Sequence, residues 1–223
     1  ALFDVNGDTI AQAEHIPVHS GVLPWGVKGA LAVIDIDKLR PGDMILHNDP
    51  FIGGTHLPDI IVFSPIFYKG RLMAFVGNLA HHVDVGGKVP GSLTPDATEI
   101  FHEGIRFPPV KIRKAGVLDE ELLAIHRDNV RTFYESNGDL MAQIAANNVG
   151  EKRLMDLCDE CGGDLVLEAA GELHSYCRRR MEVELKKLPA GTFSYRDTLE
   201  GDGITTDEPL LIQVSVTTGG EKV

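Results

Sequence analysis

Two β-rich runs, Ile60 to Phe67 and Leu72 to Ala80, stand either side of Tyr68-Lys69-Gly70-Arg71. Apolar and aromatic residues around a short glycine-containing turn predict an antiparallel hairpin. A chain with that hairpin has to be built round a sheet. The second run leads directly into His81-His82-Val83-Asp84-Val85-Gly86-Gly87, and a further short apolar strand, Met44 to Leu46, leads into His47-Asn48-Asp49-Pro50. Polar groups at strand ends are held by the sheet while facing open space, a common placement for functional side chains.

The same reading extends along the chain. The opening Ala1-Leu2-Phe3-Asp4 is strand-like, and Asn6-Gly7 after it predicts a hairpin turn. The rest of the first two-fifths reads as short strands and loops rich in glycine and proline. From about Leu118 the texture becomes helical, with Asp119, Glu120 and Glu121 in a first turn where acidic groups complement the helix dipole. Leu140, Met141, Ile144 and Ala145, then Leu154, Leu157 and Cys158, recur at steps of three and four, as a buried face does. Leu165, Ala169, Leu173, Cys177, Met181 and Leu185 follow every four residues. Two long helices are predicted, packed as a hairpin about Gly162-Gly163. After Gly191 the composition returns to β, with a turn at Gly201 to Gly203. The expected fold class is α+β. Residues 1–117 form a β-rich region carrying the site, 118–190 a helical pair, and 191–223 the start of a further β region. The absence of an initiator Met and the abrupt end at Val223 suggest an excerpt of a longer polypeptide.

Charge narrows the partners. Lys and Arg total 21 against 33 Asp and Glu, a net charge of −12, which disfavours nucleic acid or an anionic membrane as main partner. No apolar run approaches the roughly 20 residues that span a bilayer. Three cysteines cannot all pair within one chain, which favours a reducing cytoplasm over a secreted disulfide framework.

Four of nine histidines lie with aspartates and glycine pairs in the two strand-end stretches, 47–59 and 81–87. Imidazole nitrogens and carboxylate oxygens are ligands that Zn²⁺, Mn²⁺ and Fe²⁺ share. His81 and Asp84, three apart beyond a strand, with Asp49 from the other loop and His102 downstream, make a set of two nitrogens and two oxygens. His82 is an alternative to His81, since neighbours on an extended chain point to opposite sides. His56 and Asp59 admit a second shell that orients a ligand or a loop closed by Asx-type turns. Asn48 suits either a hydrogen bond to Asp49 or a turn, and Ser92 lacks a nucleophile elbow. Cys158-Asp-Glu-Cys161 lies inside a helical pattern and reads as packing. Neither standard glycine-rich phosphate-binding fingerprint is present.

Taken together, Gly7-Asp-Thr-Ile-Ala-Gln-Ala-Glu-His-Ile-Pro-Val-His19, the stretches 47–60 and 78–87, Gly138 to Leu154, and Leu199-Glu-Gly-Asp-Gly-Ile204 resemble the hydantoinase B/5-oxoprolinase family over essentially the whole chain. That family holds B-type subunits of ATP-dependent N-methylhydantoinases and the related alpha-type subunits of acetone and acetophenone carboxylases. The resemblance implies a divided reaction. An A-type partner binds ATP and phosphorylates the carbonyl oxygen of a lactam, hydantoin or ketone, and the B-type chain completes the reaction, by ring opening in one branch and carboxylation in another. It implies a divalent metal (Zn, Mn or Fe) on Asp49, His81, Asp84 and His102, with Asp59 or His82 as catalytic proton carriers. A non-catalytic assembly module is the competing class.

Overall fold

The computed structural model describes residues 1–202, 205 and 208–219. The predicted hairpin is its centre: β4 (Asp59–Tyr68) and β5 (Arg71–His81) pair antiparallel over their whole length, from Tyr68↔Arg71 at the turn to Asp59↔His81 at the open end. Lys69 and Gly70 both take positive φ, 50° and 82°, the conformation that lets a two-residue turn follow the twist of its strands.

Five further strands complete a seven-stranded sheet: β1 (Leu2–Phe3), β2 (Thr9–Ala11), β3 (Met44–His47), β6 (Val110–Lys114) and β7 (Val117–Leu118). Their order is β2-β1-β5-β4-β3-β6-β7, with every neighbouring pair antiparallel. The Asn6-Gly7 turn joins β1 to β2 as predicted, its backbone held by the Asp4 carboxylate.

Both faces of the sheet are covered, which is why its strands are apolar at successive positions and not only at alternate ones. Odd-numbered residues Ile45, Ile61, Phe63 and Phe75 pack with Leu23, Val27 and Ala30 of helix α1 (Pro17–Leu31). Even-numbered Met44, Leu46, Ile60 and Val62 pack with Leu140 and Ile144 of helix α3 (Phe133–Cys161), beside the shorter helix α2 (Glu120–Asn129). Cys158 sits in the packing layer with Ile66, Met73 and Val76, the role expected of it, while Cys161 is exposed.

Helix α1 was not expected, because the segment read as loop. Its sequence holds Pro24 and Gly21, Gly26 and Gly29, all poor helix formers. Close approach explains two of the glycines. A Cβ on Gly29 would stand 1.7 Å from the Ile52 carbonyl oxygen, and one on Gly26 would meet Ile61 at 2.2 Å. Packing against the sheet and the 50–53 turn overrides local propensity.

Helix α4 (Gly163–Leu185) begins where the break at Gly162 was predicted. Its first turns pack on the β4–β5 hairpin, through Val166 and Leu167 and an Arg71–Asp164 ion pair of 3.1 Å. The four-residue stripe expected to be buried is exposed instead at Leu165, Leu173, Cys177 and Met181. Periodicity reports that a face is apolar without supplying what covers it. The chain divides into two compact units, 1–94 with 99–168, and 95–98 with 169–223. The second contains the hairpin of β8 (Gly191–Leu199) and β9 (Leu210–Thr218), whose anticipated turn extends to Gly203, outside the described residues. No helix among the described residues is long and apolar enough to cross a membrane.

Candidate metal centre

The open end of the β4–β5 hairpin gathers the histidines. Asp59 and His81 are register partners, so their side chains share a face, and His81 Nδ1 lies 3.1 Å from Asp59 Oδ1. His56, three residues before Asp59 in the incoming loop, sets its Nδ1 3.1 Å from Oδ2. Helix α1 adds His19, whose Nε2 stands 3.3 Å from the same oxygen, and the Thr55 hydroxyl donates to it. Asp59 is thus only 1% exposed and ringed by three imidazoles, the rings of His56 and His81 lying 4.9 Å apart.

One ligand-type atom each from His56, Asp59 and His81 falls within 4.8 Å of the others, close enough to hold one ion. Two imidazoles and a carboxylate leave further coordination positions open, as catalytic rather than closed structural sites do. His19 also lines a cleft of about 440 Å³, with Ser20, Leu23, Leu79 and Ala146 among its walls. His19 is the residue of the cluster that borders this cleft.

The residues expected as ligands are distributed differently. Among the described residues, Asp49, His81, Asp84 and His102 do not form one cluster. Asp49 caps a short 3-10 turn by accepting from Phe51 N at 3.0 Å, and Arg106 Nε lies 3.8 Å away. His102 Nε2 is 3.3 Å from Glu99 Oε1. Asp84, 2% exposed, accepts from the backbone N–H groups of Gly86, Gly91 and Arg131 and from the Arg131 guanidinium. Burial alone would disfavour its charge, but those donors hold its carboxyl below the usual range. It closes a loop, with both oxygens already engaged.

His82 is turned from the cluster into the opposite face, fully buried, with Nε2 2.9 Å from Gln143 Oε1, and burial lowers its pKa. Asn48 is consumed structurally, donating to Leu57 O and Ile105 O and accepting from Phe107 N. Ser92 bridges Val85 N and Gly86 O, as loop structure. Sequence reasoning passed over His19, which a distant helix supplies. It placed Asp59 as a proton carrier, although His56–Asp59 repeats the spacing of His81–Asp84.

The protein is thus an antiparallel sheet covered by helices on both faces, with histidines gathered round a buried carboxylate at one hairpin end, where they could hold an ion. Residues 1–223 match the hydantoinase B/oxoprolinase family, and the chain belongs to it. It is 38% identical over 203 residues to the caprolactamase subunit beta of Pseudomonas jessenii, covering 91% of this chain and 35% of that protein. It is 35% identical over 199 residues to the 5-oxoprolinase of Saccharomyces cerevisiae, covering 84% of this chain and 15% of that protein. The crystal structure of the ATP-dependent caprolactamase from Pseudomonas jessenii superposes with a TM-score of 0.85 at 37% identity, over 95% of this chain and 38% of that one. The chain thus spans well under half the length of each.

Proposed function

We propose that this chain is the metal-bearing part of a B-type subunit that opens a lactam or hydantoin ring after an A-type partner has used ATP to phosphorylate the ring carbonyl. The observation that carries the reading is the His56–Asp59–His81 cluster at the hairpin end, joined by His19 to a cleft of substrate size. The named activities of the relatives, caprolactamase and 5-oxoprolinase, support the cyclic-amide class.

His56, Asp59 and His81 would hold a divalent cation. Such a cation, when bound, supplies Lewis acidity and lowers the pKa of water toward neutrality. The protein's own groups do the rest. Asp59 brings the negative charge that pairs with a cation, and the Thr55 hydroxyl fixes the orientation of its Oδ2. His19 faces the cleft with its ring steered by Asp59, placed to hydrogen-bond a substrate oxygen or nitrogen. Apolar walls such as Leu23 and Leu79 suit the methylenes of a small ring. ATP has its place on the partner, in keeping with the missing phosphate fingerprints here.

Elemental analysis of the intact protein purified with its partner tests this. His56→Ala, Asp59→Ala and His81→Ala should each strip divalent metal and abolish ATP-dependent ring opening across hydantoin, 5-oxoproline and caprolactam. Full metal content and turnover in Asp59→Ala would refute the assignment.

A further inference from the structure

Helix α3 turns two long carboxamides, Gln143 and Asn147, toward the apolar sheet, 4% and 1% exposed. Burying an amide is unfavourable unless its hydrogen bonds are made, and a leucine would fill the same space without that requirement. What Gln143 touches is specific. Its Nε2 donates to Ile60 O at 2.8 Å, and its Oε1 lies 2.9 Å from His82 Nε2.

Ile60 follows Asp59 on β4, and His82 follows His81 at the end of β5. One carboxamide therefore bridges the two strands directly behind the Asp59↔His81 pair, from the opposite face of the sheet. A carbonyl oxygen such as Ile60 O only accepts, so the amide has a single orientation: Nε2 toward Ile60, Oε1 toward His82. His82 Nε2 consequently carries its proton and donates. The His82 backbone N–H, in turn, is tied to Pro58 O at 2.8 Å. The strand ends on either side of the ligand pair are thus locked together.

One helical turn on, Asn147 makes the same kind of bridge away from the Asp59↔His81 pair. Its Nδ2 donates to Val62 O at 3.1 Å and its Oδ1 accepts from Asn78 Nδ2 at 2.8 Å, across the register pair Val62↔Asn78. The two bridges form a matched pair, one at the cluster and one beyond it.

We infer that Gln143 is a positioning residue, which fixes the separation of Asp59 and His81 through Ile60 and His82 and so preorganises them for a divalent cation. The inference rests on the metal reading above. Outer partners that orient ligands commonly affect metal affinity by about 10- to 100-fold.

The test titrates Zn²⁺ or Mn²⁺ alone into the metal-stripped intact protein by calorimetry. Gln143→Leu should weaken the cation Kd at least about 10-fold. Asn147→Leu should lower the melting temperature comparably and leave Kd close to that of the parent. The double variant Gln143→Leu/His82→Leu, which removes the imidazole together with its amide partner and leaves only the Ile60 carbonyl without that donor, should recover part of the stability without recovering affinity. Equal losses of affinity in the two single variants, or recovery of affinity together with stability, would overturn the inference. A second measurement needs no metal. With histidines labelled with ¹⁵N, His81 should give one sharp set of ring signals in the parent and in Asn147→Leu, and split or broadened signals in Gln143→Leu. Unchanged His81 signals in Gln143→Leu also overturn it. A parent protein that takes up neither cation counts against the metal reading, while the His81 signals still decide the positioning role.

Discussion

Asp59 and Asp84 are both almost inaccessible carboxylates, and each stands three residues after a histidine, yet their neighbours give them opposite uses. Asp59 faces three imidazoles and a hydroxyl, whereas Asp84 faces three backbone N–H groups and a guanidinium. The spacing was legible, but which carboxylate is left facing imidazoles was not. The deciding groups, Arg131 for one and His19 for the other, lie far along the chain. Removing Asp84 leaves the buried Gly86 N–H and three part-buried donors without their acceptor, which costs about 1–3 kcal/mol. Asp84→Ala should therefore lower the urea midpoint of the chelator-treated protein strongly, while the folded fraction still takes up metal. Loss of metal at parental stability would reverse the roles given to these two carboxylates.

Among the elements, the hairpin was the most legible, because β-branched and aromatic composition, turn residues and length all agree there. Helix α1 was the least legible, because its glycines and Pro24 signal loop when read locally. Their reason is tertiary: α1 must come within backbone distance of the 50–53 turn to bring His19 over Asp59. Two substitutions separate propensity from packing. At Gly21 an added Cβ meets nothing within 4 Å, so Gly21→Ala should be neutral or stabilising by about 0.5–1 kcal/mol. At Gly29 the Cβ would collide with the Ile52 carbonyl, a backbone atom that cannot swing aside, so Gly29→Ala should destabilise by about 1–3 kcal/mol. Because the helix must shift to admit the methyl group, Gly29→Ala should also reduce the kcat of the proposed ring opening. Thermal melts of the two variants, read with turnover, check this; equal melting temperatures would remove the packing explanation for α1.

At the scale of the whole molecule, local patterns could not reveal that β3 lies between β4 and β6, or that β1 pairs with β5, since these contacts join distant segments. The apolar stripe of α4 was visible as a pattern and is exposed, as are Phe193, Tyr195, Val214 and Val216 on one face of the β8–β9 hairpin. A further whole-molecule property comes from histidines buried on opposite sides of the sheet. His47 is fully buried at the end of β3, and His126 of α2 is 3% exposed among Phe107, Phe133 and His82, with neither His126 nitrogen hydrogen-bonded. Burial lowers each pKa from 6.5 to about 4. The folded state thus prefers the neutral rings, and the unfolded chain binds more protons between these two values. Stability must fall as pH drops through that window and level off, for these two groups, below it. A change from 6.5 to about 4 amounts to about 3 kcal/mol for each ring at pH 4, so the pair together approach the whole stability of an ordinary domain. The urea midpoint of chelator-treated protein should therefore decline steadily from about pH 6.5, well above the range where carboxylates titrate. His126→Leu, which keeps an apolar filling among the same aromatic neighbours, should reduce that slope, the remainder coming from His47 and His82. A midpoint that stays flat down to pH 4.5, or a slope unchanged in His126→Leu, would show that these rings are not what limits the fold in acid.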